Sequence, residues 1–427
     1  TNEPDNPNGS PEILQLEIPN LHTNFKINSA GETIILSTAN GTIADSISTG
    51  MIPTDISLGR HPDGDVNWFY FDEPTPNTEN NTNGYQDIAE EPLFSVQGGF
   101  FDNIVSVELS VNSPNTAIYY TTDGSEPTPN SLIYSNPVQI NETVVIRART
   151  FAAGHLPSKV VSNSYFINSE HDLPVISIST DPANFFDYYT GIYADGPNAS
   201  DDFPHFGANF WNDWERPVNI EMYENTNELA FNIQAGAKIF GGWSRGNAQK
   251  SISIFARGTY GYNEIDYQIF PDKPIDSFEA IVLRNSGQDW NSTMIRDALL
   301  TNLIADCDIE IQAYRPAVLY INGEYWGIHN IREKINEHFV ASNSDSNANE
   351  IDILEGNAAI VQGDNQHYGE MMYFVEHFDM SNMSYYENVA SKMDIENYIT
   401  YQAAQIFFNN TDWPGNNIKY WRPQTPT

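Results

Sequence analysis

A polar stretch near the C-terminal end is the part of the sequence best suited to chemistry. Residues 409–417 read NNTDWPGNN and follow an apolar approach. The carboxylate of Asp412 can accept the proton of an attacking hydroxyl group, and the amide oxygen of Asn417 can bind a hard divalent cation. A polar turn between a helix and a strand commonly carries such chemistry, because a rigid scaffold presents it.

The spacing of Asp412 and Asn417, with four residues between them, is that of the catalytic loop of protein kinases. In that loop an Asp accepts the proton of the substrate hydroxyl and an Asn binds Mg²⁺. Taken alone the pattern has low specificity, because this spacing recurs in a chain rich in Asn. The alternative is an Asx-type turn that only joins a helix to a strand.

Three upstream segments make the kinase interpretation of this loop more specific. Residues 242–250 read GWSRGNAQK, residues 283–297 read LRNSGQDWNSTMIRD, and residues 320–335 read YINGEYWGIHNIREKI. Their order, with residues 409–417 after them, resembles the CotH family of atypical protein kinases, which are secreted or associated with spore coats. The resemblance implies ATP as the phosphate donor, Mg²⁺ as the metal ion and a protein Ser or Thr as the acceptor.

The resemblance also implies roles for individual residues. Asp412 would be the catalytic base and Asn417 a metal ligand. Arg245 and Lys250 would contact phosphates, helped by the small residues of the Gly241–Gly246 turn, where the backbone can approach an anion closely. The alternatives are a hairpin turn that needs positive φ for its glycines and an exposed strand lysine.

Two carboxylates complete the candidate site. Asp297 follows Lys250 on a predicted helix and is a candidate partner for a cation of the site, the alternative being a surface charge. Glu333 follows a strand pair and would lie at the hinge between lobes, where the edges of adenine are recognised. Its alternative is an ion pair with Lys334 or Arg332.

The N-terminal part predicts β structure. The run at residues 31–36 indicates a strand, and Asn40-Gly41 is a hairpin signal. Segments at 22–26, 30–32, 56–64 and 74–80 resemble the second half of a lamin-tail domain, an immunoglobulin-like β-sandwich. We therefore expect a partial lamin-tail-like sandwich at residues 1–82, whose first ten or so residues read as a linker.

Residues 83–91 are polar and acidic, which predicts a linker before a second β unit at residues 92–168. Short strands separated by Asp-Gly and Pro turn residues indicate a small antiparallel sandwich. The pattern resembles the chitobiase/hexosaminidase C-terminal domain, an accessory module found beside carbohydrate-acting enzymes. Asp123-Gly124 is a hairpin turn in the simplest interpretation, with sugar or Ca²⁺ binding as the alternative.

The third unit, residues 169–427, mixes strands and helices. Strands are predicted at 216–223, as a pair within 230–240, at 251–257 and on either side of Asn322-Gly323. Apolar spacing predicts helices at 293–305 and 394–408. The predicted fold class is a multidomain chain with two small all-β sandwiches followed by an α+β, two-lobed kinase-like domain that is incomplete at its C-terminal end.

Composition limits the possible partners. Lys and Arg number 19 against 57 Asp and Glu, a formal net charge of −38, which repels nucleic acid and anionic lipid. Cys307 is the only cysteine, so no intramolecular disulfide can form. The sequence has no apolar run long enough to span a bilayer. We expect a protein acceptor, contact with glycan or the cell envelope through the sandwiches, and an extracellular or cell-surface location.

One departure from the kinase pattern bears on activity. Kinases need a second metal-binding carboxylate after the catalytic loop, and the CotH family has it downstream of a strand that matches residues 420–422. The sequence ends at Thr427, before any such residue, which predicts weak binding of Mg²⁺ and ATP. The alternative function is a catalytically inert envelope or carbohydrate-binding scaffold that carries a kinase-like unit.

Overall fold

The computed structural model describes residue 27 and residues 31–424. It divides the chain into two compact units, one formed by residues 1–89 and 152–156 and the other by residues 90–151 and 157–427. Predictions that concern residues 1–26 and 28–30, including the first lamin-tail segment, lie outside the described residues.

The first unit consists of short antiparallel ribbons. Its strands are β1 (Thr33–Ser37), β2 (Ile43–Ser48), β3 (Ser57–Arg60), β4 (Trp68–Phe71) and β5 (Asp87–Ile88). β1 pairs with β2 across the predicted turn, where the amide of Thr38 donates to the carbonyl of Thr42 at 2.8 Å, and β3 pairs with β4. The expected β structure is confirmed for the described part, while the lamin-tail assignment stays a prediction.

The second unit begins with a β-sandwich. Its strands are β6 (Leu93–Phe94), β7 (Gly99–Phe101), β8 (Val105–Val107), β9 (Leu109–Ser110), β10 (Thr116–Thr121), β11 (Leu132–Ile133), β12 (Val138–Ile140), β13 (Val144–Ala152) and β15 (Val161–Ile167). Between the last two lies β14 (His155–Leu156), which belongs to the first unit, where it pairs in parallel with β5. Five strands form one sheet in the order β11-β10-β13-β15-β7. They share a buried core with the pairs β12-β8 and β6-β9, to which Val107, Ile146 and Tyr165 contribute.

A closed seven-stranded barrel follows in the same unit. The strands of this region are β16 (Val175–Ser179), β17 (Arg216–Tyr223), β18 (Leu229–Phe240), β19 (Ser251–Phe255), β20 (Ile265–Asp266), β21 (Ser277–Phe278), β22 (Ala280–Arg284), β23 (Tyr314–Ile321) and β24 (Glu324–Glu333). The barrel order is β16-β17-β18-β19-β22-β24-β23, closed by parallel pairing of β16 with β23. The period-two pattern directs Val218, Ile220 and Met222 of β17 into the interior.

Two details of this region differ from the sequence predictions. The strand pair expected within 230–240 is wrong, because β18 is one continuous strand that reaches both neighbours in the barrel. The hairpin at Asn322-Gly323 is confirmed, with φ values of 51° and 82°. Both values lie in the left-handed region that a type I′ turn requires.

Helices lie mainly towards the C-terminal end. They are α1 (Pro182–Phe186), α2 (Arg296–Asn302), α3 (Glu337–Asn343), α4 (Gln366–His377), α5 (Met383–Ala390) and α6 (Ile395–Phe407). A three-stranded sheet accompanies them, with the order β26 (Ala359–Gln362), β25 (Ile351–Glu355) and β27 (Lys419–Pro423).

The two predicted helices are present, but one is shorter than expected. α6 is confirmed and begins after Asp394, whose side chain accepts a hydrogen bond from the amide of Asn397. α2 starts late because Met294 has φ 61°, a left-handed conformation that a helix cannot contain. The predicted fold class, β sandwiches followed by an α+β kinase-like region, is confirmed.

The barrel core gives a first prediction. Ile254 of β19 is fully buried, so Ile254→Ala should lower the free energy of unfolding by about 2–5 kcal/mol, through lost transfer energy and a residual cavity. Ile360→Ala, at an exposed strand position, should change it by less than about 0.5 kcal/mol. Urea unfolding followed by tryptophan fluorescence measures both. Equal midpoints for the two variants would contradict this packing.

Candidate active site

The loop between α6 and β27 brings the predicted base and the predicted metal ligand into contact. The side-chain amide of Asn417 donates to Oδ2 of Asp412 at 2.5 Å, and that of Asn416 donates to Oδ1 at 3.2 Å. Asn409, with φ 50°, ends the helix in the left-handed conformation that Asn tolerates. On the other side β27 pairs with β25, so both ends of the loop are held.

The geometry of this loop fits a divalent cation held largely by its substrate. With its nitrogen donating to Asp412, the amide of Asn417 keeps its oxygen for a cation. Both side chains are exposed. Among the described residues no cluster of three or more His, Cys, Asp or Glu could hold a metal ion. Mg²⁺ is commonly bound by one or two protein oxygens together with substrate phosphates and water, so the side-chain oxygen of Asn417 suits it.

Lys250 lies beneath the Gly241–Gly246 turn and supports it. The residue precedes β19 and is 4% exposed. Its Nζ donates to the carbonyls of Arg245 at 2.7 Å and Asn247 at 3.0 Å, and it lies 3.8 Å from the ring centroid of Phe210. Burial lowers the pKa of Lys250 to about 8. The alternative of an exposed strand lysine is therefore wrong.

Arg245 is also engaged with backbone carbonyls. Its Nε donates to the carbonyl of Gly241 at 2.5 Å and its Nη1 to that of Phe210 at 3.1 Å, while the guanidinium lies over the ring of Trp211. Gly241 has φ 112°, so the turn does require positive φ. A phosphate contact by Arg245 would require it to exchange these carbonyls for phosphate oxygens.

Arg245 and Lys250 take their hydrogen-bond partners from outside the 409–417 loop. In the part of the chain that the structure describes, no hydrogen bond or ion pair joins Arg245 or Lys250 to the 409–417 loop. The two cations and the Asp412–Asn417 pair thus form two separate groups. A phosphate role for Arg245 and Lys250 stays a prediction.

Asp297 interacts with cations of the barrel strands rather than with Lys250. Its Oδ2 lies 2.9 Å from Nε of Arg284 and 3.2 Å from Nη1 of Arg332. Arg332 is only 2% exposed, and burial lowers its pKa despite the nearby carboxylate. The carboxylate therefore compensates a buried guanidinium, and its role towards a cofactor stays a prediction.

Glu333 lies where β24 leaves the barrel, and its carboxylate is fully engaged. Oε2 accepts from Nζ of Lys273 at 2.5 Å and from the amide of Ala313 at 2.7 Å, and Oε1 accepts from Asn343 at 3.0 Å. The ion pair expected with Lys334 or Arg332 is wrong, because the partner is Lys273. Recognition of adenine by Glu333 stays a prediction.

A small pocket adjoins the end of β24, where Glu333 lies. It is lined by residues that include Phe278, Glu333, Lys334 and Phe339, and its cavity volume is only about 20 Å³. Ligand pockets typically enclose about 300–1,000 Å³. A nucleotide base would therefore need the pocket to widen.

Asn285 is a structural residue to which the sequence predictions gave no role. It is fully buried at the end of β22, where its Oδ1 accepts from Ser251 and from the amide of Gly287, both at 2.9 Å. Its Nδ2 donates to the carbonyl of Gln249 at 2.6 Å. It therefore holds the segment before β19 against the turn after β22. An Asn that follows a buried apolar strand and precedes Gly by two residues was the available signal.

A β-barrel followed by helices, with an Asp–Asn loop between a helix and a strand, defines a kinase-like α+β unit. Residues 237–427 match the family model of the CotH kinase protein, and residues 96–162 match that of the Chitobiase/beta-hexosaminidase C-terminal domain. The chain thus contains a CotH kinase domain and a chitobiase-type domain, and both resemblances are confirmed for these ranges. Nothing among curated proteins matches the chain.

The described helices were also compared with the requirements of a membrane span. None of those in residues 31–424 combines sufficient length with sufficient hydrophobicity to cross a bilayer.

The position of Lys250 gives a second prediction. Lys250→Met keeps the aliphatic stem but leaves two carbonyls of the turn without a donor, so it should lower the free energy of unfolding by about 1–3 kcal/mol. The control is Lys238→Met, which removes a pair with the exposed Asp213 and should cost less than about 1 kcal/mol. Thermal unfolding of both variants measures this. A Lys250 variant as stable as the wild type would show that the ammonium does not hold the turn.

Proposed function

We propose that this protein is an ATP-dependent protein kinase that transfers the γ-phosphate to Ser or Thr of an extracytoplasmic protein. The observation that carries the proposal is the contact of Asp412 with Asn417 in an exposed loop between α6 and β27. The match of residues 237–427 to the CotH kinase family supports it. Because the loop is exposed, the side chain of a protein acceptor can reach it.

The residues of the loop suit an in-line transfer. The acceptor hydroxyl oxygen bonds to the γ-phosphorus, the bond from phosphorus to the β–γ bridging oxygen breaks, and ADP leaves. Asp412 takes the hydroxyl proton, while Asn416 and Asn417 fix the orientation of its carboxylate through their side-chain amides. A Mg²⁺ ion held by the side-chain oxygen of Asn417 together with phosphate oxygens would neutralise charge on the phosphates.

The surroundings in which the protein acts are part of the proposal. A chitobiase-type domain beside the kinase-like unit supports contact with glycan or the cell envelope. The net charge of −38 favours partners other than nucleic acid. We place the protein outside the cell or at its surface, where an acceptor protein and glycan are both accessible.

A second candidate function is a catalytically inert scaffold for the envelope or for carbohydrate. The observation that favours it is the engagement of Arg245 and Lys250 with backbone carbonyls. In this state neither side chain is available to a triphosphate. The two functions differ in whether the wild-type protein binds ATP with Mg²⁺ and transfers phosphate.

A third prediction concerns the base. In the full-length protein, Asp412→Ala should lower phosphate transfer by about 10²–10⁴-fold, because proton transfer to the base is lost. ATP affinity should fall only slightly, since the nucleotide binds mainly through other contacts. Transfer of labelled phosphate and equilibrium binding of ATP measure the two effects. Asp379→Ala, which removes an exposed carboxylate between α4 and α5, is the control. Equal transfer by wild type and Asp412→Ala would show that the catalytic-loop assignment is wrong.

A fourth prediction concerns the metal ligand. Asn417→Ala should weaken ATP binding in the presence of Mg²⁺ and leave binding in its absence unchanged, because only the metal-dependent contact is lost. Asn416→Ala is the matched control, since its amide contacts the same carboxylate at a longer distance. Calorimetric titration with and without Mg²⁺ measures both variants. Wild-type protein that binds no ATP at millimolar Mg²⁺ would refute the kinase proposal and favour the scaffold.

A further inference from the structure

A carboxyl group is buried where the sandwich meets the barrel. Glu221 points outward from β17, yet it is 0% exposed because strand β15 of the sandwich covers it. Its Oε1 accepts from the amide of Ser164 at 3.2 Å and from the hydroxyl of Tyr223 at 2.8 Å, and its Oε2 contacts the hydroxyl of Ser164. The Ser164 hydroxyl is also 2.8 Å from that of Ser177.

None of the described cations pairs with this carboxyl. The ionisable groups that face it are phenols, Tyr223 from its own strand and Tyr165 from β15. β16 and β18 present Ser177 and Asn232 at the paired positions, which are uncharged. Burial raises the pKa of Glu221 to about 7 and raises those of both tyrosines.

The rest of this junction consists largely of hydrogen bonds from side chains of β18 to backbone carbonyls of β15 and of the residue that precedes it. Asn232 donates to the carbonyl of Ser162 at 3.0 Å, and Gln234 donates to that of Val160 at 3.2 Å. A smaller aromatic cluster completes it, in which Phe166 stacks on Phe100 with ring centroids 4.6 Å apart. The aromatic cluster also contains His171, which bonds to Tyr320 and whose pKa is lowered by burial.

We propose that this junction is a pH-responsive latch, in which the protonated side chain of Glu221 holds β15 of the sandwich on β17 of the barrel and loss of its proton loosens the contact. A neutral carboxyl can donate its proton to the Ser164 hydroxyl, which then donates to Ser177. A carboxylate in the same place has no described cation to pair with and no solvent-exposed surface, and burial of an unpaired charge is strongly unfavourable.

The direction of the pH effect follows from proton binding. The closed junction binds the proton more tightly than an open one, in which Glu221 has its ordinary pKa near 4.5. The latch is therefore strongest below about pH 4.5, weakens as the pH rises to about 7 and stays weak above that. Attachment of the chitobiase-type domain to the kinase-like unit would thus respond to acidity.

Hydrogen exchange of the backbone amides tests the latch. In wild-type protein, after correction for intrinsic exchange rates, opening of β15 and β17 should increase by up to about tenfold per pH unit between pH 5 and 7. Opening of β19, on another side of the barrel, should change much less. The Glu221→Gln variant keeps the shape of the side chain but cannot titrate, so the opening of its β15 should depend little on pH. Glu228→Gln, at an exposed carboxylate in the next turn, should behave as the wild type.

Two results would overturn the proposal. One is the same pH dependence of β15 opening in wild type and Glu221→Gln. The other needs no variant and so remains decisive if Glu221→Gln does not fold. Carbon-13 labelling of glutamate reports the titration of each carboxyl, and wild-type protein in which every Glu carboxyl titrates near its ordinary pKa would exclude a protonated Glu221 in the junction.

Discussion

Closure of the barrel is the constraint on which the rest of the second unit depends. The strand that leaves the sandwich, β16, pairs in parallel with β23, and this pairing joins the two ends of a seven-stranded sheet. Closure fixes the position of the connection between β18 and β19, and therefore the position of Lys250 beneath the Gly241–Gly246 turn. It also fixes where β24 leaves the barrel with Glu333 at its end. The outer face of β17 becomes a surface on which the sandwich can pack.

Elements with strong local signals could be predicted from the sequence. Asn322-Gly323 adopts the positive φ values that its residue types favour. α6 has an Asp cap and clear helical spacing, so its limits were predicted to within one residue. The closed barrel could not be predicted in this way, because its closing pair joins strands far apart in sequence and no short window records that pairing. For the same reason the pairing of β25 with β27 was missed, since three helices lie between these strands.

The residues of the candidate site also differ in whether their positions depend on local sequence or on distant parts of the chain. The Asp412–Asn417 contact lies within one loop, so both residues of the predicted catalytic pair could be recognised in a short stretch of sequence. The direction of the Lys250 side chain depends on the fold of the preceding turn and also on Phe210, which is distant in sequence. The partners of Asp297 and Glu333 come from distant strands and loops. For Glu333, the cations adjacent in the sequence were therefore the wrong candidates.

The absence of free edges in the barrel has a consequence for behaviour at high concentration. A strand with unpaired backbone groups is a template for addition of strands from other molecules, and proteins avoid aggregation by removing or shortening such edges. The seven barrel strands all have two neighbours, and the edge strands of the sandwich sheet, β7 and β11, contain three and two residues. The barrel strands therefore offer no edge at which crowded copies of this chain could extend one another's sheets.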